Sequence, residues 1–282
     1  MSARIPSQWL RAALLAFALA WLSAASSLLA HAQSAPRVVD IPTRPGVTQR
    51  FLFIAPATPK AVAILYAGGH GGLQLNPNGS FGWGANNFLV RSRMLFVNDD
   101  VAVAVIDAPS DRQSPPYLDG FRSTPEHAED ARAVIAWLRE QLHVPVWLVG
   151  TSRGTQSVAA IAIALGNDAN PNATPGAGPD GIVLSSTILQ DKRGGNPVTS
   201  MNLSALKIPV LVVHHKDDAC KFCPVSETDT LMQKLTQSPR TKLMLVSGGA
   251  SRGDPCEAFA YHGYNGIESD VVHGITAWML AP

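Results

Sequence analysis

Gly150-Thr151-Ser152-Arg153-Gly154 is the segment whose residue types and spacing most directly imply chemistry. A serine hydroxyl is a poor nucleophile until a neighbouring base takes its proton. The spacing G-x-S-x-G supports that role only where a strand runs into it and a helix runs out. The sharp turn then lifts the hydroxyl above a sheet, at a helix N-terminus where developing negative charge is stabilised. Both flanks are present: residues 144–149 are an apolar run, and residues 157–165 are apolar nearly all round. Side chains at the two flanking positions would collide in so tight a turn, so Gly150 and Gly154 are required there. A chance match in an ordinary loop would lack both flanks.

The elements needed to position such a serine are legible on either side. Residues 50–54, 61–66, 101–106, 181–184, 210–213 and 243–246 are further short apolar runs, rich in Val, Ile and Leu and without alternation. Strands covered on both faces have that pattern. Between them, residues 126–142 place Ala131, Val134, Ile135 and Leu138 on one helical face. Residues 227–235 and 271–280 are further helix candidates, and residues 71–87 and 166–181 read as loops rich in turn formers. The alternation predicts an α/β protein: a mostly parallel central sheet with helices on both faces. Residues 185–206 leave room for a short connection but not for a large lid domain. Active sites of such sheets lie at the carboxyl ends of the strands.

With the serine turn in that setting, the chain resembles the α/β-hydrolases, in the manner of a secreted serine esterase or dienelactone hydrolase, over nearly all of residues 33–282. The resemblance implies the chain order serine, acid, histidine. The acid follows the strand ending at Val213, where His214-His215-Lys216-Asp217-Asp218 places Asp218 at the acid position and leaves Asp217 as its rival. The base follows the strand at 243–246. His262, in Tyr261-His262-Gly263-Tyr264, resembles the corresponding segment of related hydrolases, whereas His273 falls in the apolar pattern of the last helix. His214 and His215 sit at the strand end and read as supports for the loop.

Acyl transfer also needs two backbone N–H groups aimed at the oxyanion. One belongs to Arg153, the residue after the nucleophile. The other belongs to the run Ala67-Gly68-Gly69-His70-Gly71-Gly72, with Gly69 the choice and His70 its neighbour. The run lacks the spacing of a phosphate or dinucleotide loop. Phe81, Trp83 and Tyr117 are candidates for a substrate pocket or for loop packing alone. If the acid and base loops meet, Cys220 and Cys256 come close enough for a disulfide that clips them together. Cys220-Lys221-Phe222-Cys223 as a C-x-x-C redox motif is the competing reading, and no metal site or cofactor is implied.

The bulk properties fit this reading. The chain has 282 residues, a formal net charge of +1 and three cysteines. Near-neutral charge offers no electrostatic case for nucleic acid or anionic membranes. Arg4 and Arg11, the apolar stretch at 12–30 and Ala30-His31-Ala32 read as a signal peptide over residues 1–32 with cleavage after Ala32, and an uncleaved membrane anchor is the alternative because the apolar stretch is close to spanning length. The expectation is a secreted or periplasmic hydrolase acting on a small-molecule ester or related acyl substrate, without membrane attachment after cleavage. A serine peptidase acting on short peptides, and a binding protein that kept the fold, are the alternatives.

Overall fold

The computed structural model describes residues 35–166, 176–190 and 196–282. The signal peptide expected at residues 1–32 and most of the loop expected at 166–181 lie outside the described residues. Eight strands form one sheet: β1 (Arg37–Arg44), β2 (Val47–Ile54), β3 (Ala61–Tyr66), β4 (Val101–Ile106), β5 (Val146–Thr151), β6 (Gly181–Ser185), β7 (Val210–His215) and β8 (Thr241–Val246). Their spatial order is β1-β2-β4-β3-β5-β6-β7-β8. The hairpin β1–β2 and the β2–β4 pair are antiparallel, and every pair from β4 to β8 is parallel.

The apolar runs read from the sequence are the end of β2 and the parallel strands β3 to β8, and the pleat of the sheet divides the core in two. Val62, Ile64 and Tyr66 of β3 enter one layer; Ala61, Ala63 and Leu65 enter the other. The first layer is closed by α3 (Pro125–Leu142) and α4 (Gly154–Leu165) through Val134, Ile135, Leu138, Val158 and Ile161. The second is closed by α1 (Phe88–Arg91), α2 (Arg93–Asn98) and α6 (Glu268–Leu280) through Phe88, Leu89, Phe96, Val271 and Ile275. Each such side chain contributes about 1.5–3 kcal/mol when fully buried. The short α5 (Thr228–Gln233) packs Leu231 against the first layer. The helix α3 starts where expected, with the Thr124 hydroxyl accepting from the His127 N–H and Pro125 at the first position.

Topology decides where a site can form. From β3 the chain crosses to β4 on one side, and from β5 it crosses to β6 on the other. The loops leaving the carboxyl ends of the adjacent strands β3 and β5 therefore diverge and open a crevice between them. Residues 67–72 and Ser152 are the residues at that crevice. Between β6 and β7 the described chain forms only two single-turn helices, Val198–Ser200 and Leu203–Ala205, so no lid domain covers it.

Candidate active site

Ser152 occupies the turn between β5 and α4 with φ +53°, the left-handed region that side chains rarely adopt. The turn is held by the Ser152 N–H donating to the Ser185 carbonyl at 3.0 Å and by the Thr155 hydroxyl donating to the Ser152 carbonyl at 2.6 Å. Both flanking glycines are sterically required. A Cβ on Gly150 would stand 2.7 Å from the Gly154 carbonyl group, and one on Gly154 would overlap the Tyr66 carbonyl oxygen of β3.

Asp218 and His262 come together across two loops. The Asp218 Oδ2 lies 2.9 Å from the His262 Nδ1, and the Asp218 Oδ1 accepts the Cys220 N–H at 2.9 Å. The pair is buried, with Asp218 8% and His262 4% exposed. The second ring nitrogen, His262 Nε2, is buried and has no hydrogen-bond partner among the described residues. Ser152 and His262 line one cavity of about 580 Å³, together with Gly69, Arg153, Phe81, Trp83 and Phe222. Asp217 points away: its side chain is 66% exposed, and its N–H caps the His215 Nδ1 at 3.0 Å. His273 lies on α6 with an exposed ring 3.4 Å from Asp99.

Supporting groups hold His262 in place. The Ser186 hydroxyl donates to the His262 carbonyl at 2.7 Å, and the Tyr264 hydroxyl donates to the Val213 carbonyl at 2.8 Å. The His214 Nε2 accepts the Thr187 N–H at 2.9 Å, and burial pushes that imidazole's pKa down to about 4. His215 stacks on Tyr261 with ring centres 4.3 Å apart and bonds through Nε2 to the Gly248 carbonyl at 2.9 Å. Both histidines thus serve the loop.

The acid and base loops are also joined covalently, because Cys220 and Cys256 form a disulfide. Cys223 remains a buried thiol that donates to the Ser186 carbonyl, and burial raises its pKa well above the ordinary value. The C-x-x-C pair is therefore not the bridged one. Cys220, Cys223 and a His262 nitrogen lie within 4.8 Å of one another, a spacing suited to a metal. The Cys220 sulfur is taken up by the disulfide and the Cys223 thiol by Ser186, so this donor set does not fit one as it stands.

On the opposite wall, Gly69 has φ +58° and packs against the Trp83 ring, while a Cβ on Gly68 would stand 2.9 Å from the Ser152 Cβ. His70 is enclosed between Trp83 and Tyr117, with ring centres 3.7 and 4.2 Å away, and its Nδ1 accepts the Gly72 N–H. Of the three aromatic candidates, Phe81 and Trp83 line the cavity. Tyr117 instead stacks on His70 and accepts from the Gln74 amide at 3.0 Å. The buried Asp107 carboxylate, just past β4, accepts the N–H groups of Leu73, Gln74, Leu75 and Ala108 at 2.6–3.2 Å. Asp107, Arg122, Ser186 and Tyr264 were not singled out as functional from the sequence. Only Asp107 left a signal, as a charge closing an apolar strand.

No family model and no curated relative matches the sequence. Solved structures do match. A Pyrococcus furiosus esterase aligns at 13% identity and TM-score 0.59, covering 87% of this chain and 90% of that one. An α/β serine hydrolase without a lid from Xanthomonas campestris aligns at 18% identity and TM-score 0.52, covering 89% and 97%. A dienelactone hydrolase from Anabaena variabilis aligns at 15% identity and TM-score 0.54, covering 88% and 98%. At such identities the likeness shows the fold: this chain has the lidless α/β-hydrolase fold.

Proposed function

We propose that the chain is a serine hydrolase that cleaves carboxylic ester bonds of small substrates through Ser152, His262 and Asp218. The observation that carries this reading is the buried Asp218–His262 pair opening on the cavity that Ser152 lines. In the reaction, His262 Nε2 takes the hydroxyl proton as the Ser152 Oγ attacks the ester carbonyl carbon. The Asp218 carboxylate holds the Nδ1–H tautomer and stabilises the imidazolium. The N–H groups of Gly69 and Arg153 receive the oxyanion. Collapse breaks the ester C–O bond, the leaving alcohol takes the proton from His262, and an acyl-enzyme remains. Water, deprotonated by His262, then releases the acid and restores Ser152. The unpartnered Nε2 suits this cycle, since catalytic hydrogen bonds in free enzymes often tighten only when substrate is bound.

An open cavity without a lid favours short esters and lactones over long lipid chains buried on all sides. The solved esterases and the dienelactone hydrolase that share the fold support acyl transfer as the class. Export follows from the N-terminal segment, and a structural disulfide suits an oxidising compartment.

The test is a screen of p-nitrophenyl esters, lactones and short peptides, with Ser152→Ala as the blank, alongside labelling by a fluorophosphonate. The expected result is turnover of short esters and stoichiometric labelling of the wild type. Ser152→Ala should lose about 10⁴-fold or more in kcat and all labelling. Ester turnover unchanged in Ser152→Ala would sink the assignment, and turnover of peptides alone would make the chain a peptidase.

A further inference from the structure

The proposed oxyanion loop is backed by a buried charge that takes no part in the proton transfers above. Arg122 is 5% exposed and lies under residues 67–71. Its Nη2 donates to the Gly69 carbonyl at 3.0 Å and more weakly to the Ala67 carbonyl at 3.5 Å. Its Nη1 donates to the Ser157 hydroxyl of α4 at 2.9 Å. All three acceptors are neutral, and its Nε has no partner among the described residues. Burial pulls the guanidinium pKa down to about 10, with the Asp119 charge opposing, so the group still carries its proton at neutral pH.

A buried guanidinium bonded only to neutral groups is a costly way to tie down a loop. What a guanidinium offers is a rigid fork that reaches several acceptors in fixed directions. Here the fork spans two carbonyls of one loop and a hydroxyl on the helix that starts at the nucleophile turn. The loop needs such restraint, because Gly68, Gly69, Gly71 and Gly72 give it more conformational freedom than any other residues would. The carbonyls of Ala67 and Gly69 flank the Gly68–Gly69 peptide, the one that bears the Gly69 N–H. Each peptide is planar, so holding the carbonyls on both sides holds the two Cα atoms from which the middle peptide is hung and restrains its N–H. Gly68 packs on the Ser152 Cβ, so that peptide stands beside the nucleophile. Oxyanion stabilisation depends on donors already aimed before the charge develops.

We propose that Arg122 is a positioning residue for acyl transfer, clamping the Ala67 and Gly69 carbonyls so that the Gly69 N–H is presented to the oxyanion. The inference rests on the hydrolase reading. The clamp acts through the backbone alone: Arg122 neither touches substrate nor exchanges a proton.

The experiment compares wild type, Arg122→Met and Arg122→Lys on a short p-nitrophenyl ester. It also measures inhibition by a boronic acid, whose serine adduct is tetrahedral and anionic. Removing an oxyanion donor outright costs about 10²–10³-fold in kcat, so misaiming one is expected to cost roughly 10–100-fold. In Arg122→Met kcat should fall by that factor, KM should stay within about three-fold, and boronate affinity should fall in parallel with kcat/KM. Arg122→Lys, which can reach one carbonyl, should recover part of the loss. A defect in folding alone would lower the titratable active sites and leave kcat per site unchanged, so all rates are taken per fluorophosphonate-reactive site. If Arg122→Met does not fold, Arg122→Lys decides, with an intermediate loss in kcat and boronate affinity expected. Kcat per site and boronate affinity within two-fold of wild type in the folded variant would overturn the clamp and leave the hydrolase reading intact. A wild type that takes up no fluorophosphonate would overturn both.

Discussion

The two walls of the cavity are built on different principles. The wall after β3 is backbone held by charge: the Asp107 carboxylate accepts four N–H groups from residues 73–75 and 108, and the Arg122 guanidinium grips the Ala67 and Gly69 carbonyls. The wall after β7 and β8 holds side chains, and its buried supports at His214, Tyr264 and Cys223 are neutral, while the Arg91 guanidinium, paired with Glu268, also donates to the Gly263 carbonyl at 2.7 Å. His214 is kept uncharged, the Tyr264 phenol and the Cys223 thiol are driven by burial to stay protonated, and the cross-link is a disulfide. The contrast follows from what each wall must do. Peptide dipoles do not titrate, so permanent charges can hold them without changing them. A fixed charge beside an aspartate–histidine pair would instead bias where its shared proton rests. The Ser186 and Tyr264 hydroxyls and the disulfide hold the residues around the pair without adding a charge of their own.

The sharpest way to break this comparison is to neutralise the carboxylate that holds His262. Asp218→Asn keeps the shape and removes the carboxylate. In a triad that exchange costs about 10⁴-fold in kcat, and a loss of that order is expected at saturating ester. Asp217→Asn, at the exposed neighbour, should stay within about two-fold. Equal losses in the two variants would mean that the loop as a whole, rather than the Asp218 charge, supports the base.

Next in size is the covalent clip. Cys220 and Cys256 are 36 positions apart, and the chain-entropy contribution of a loop that long is about 4 kcal/mol. Cys256→Ser should lower the denaturant midpoint accordingly. Amide hydrogen exchange should then show faster opening around residues 216–223 and 250–262 but unchanged protection of residues 73–75, which Asp107 holds without help from sulfur. Uniform loss of protection in both walls would contradict their independence.

How far each wall was legible in the sequence follows from the same difference. Ser152, Asp218 and His262 could be read because chain order and strand ends locate them, and Cys220 and Cys256 because they sit close to the acid and the base in the chain. Arg122 could not be read. Its neighbours, Gly120-Phe121-Arg122-Ser123-Thr124-Pro125, look like an exposed turn before a helix, and only the tertiary fold brings that turn under residues 67–71. Ser186 and Tyr264 are equally ordinary in type. The buried parallel strands were plain from their unbroken apolar runs. The edge strand β1 was not, since Pro42 and alternating polar residues leave it half exposed, with a register shift between Pro42 and Arg44. The helices α1 and α2 share the run Phe88-Leu89-Val90 and Leu95-Phe96-Val97, split at Ser92, too short for a clear helical period.

The smallest expected effect tests the neutrality of His214 directly. His214 has an ordinary pKa near 6.5 and is pushed to about 4, first by burial and then by the neighbouring His262, with Asp218 opposing. Between those two values the unfolded chain binds a proton that the folded chain refuses, so stability must fall as pH drops through that window and level off below it. At pH 4.5 the loss relative to pH 7 is roughly 2.5 kcal/mol from this group alone. Protonation would also strip the Thr187 N–H of its acceptor, since His214 Nε2 would become a donor. His214→Gln can keep that acceptor without the titration. Urea unfolding at pH 7 and pH 4.5 should therefore show a drop about 2.5 kcal/mol smaller in the variant than in the wild type, with His127 contributing its own acid sensitivity equally to both. Equal drops in the two proteins would mean that His214 accepts its proton in the folded state, and the neutrality of this support would fail.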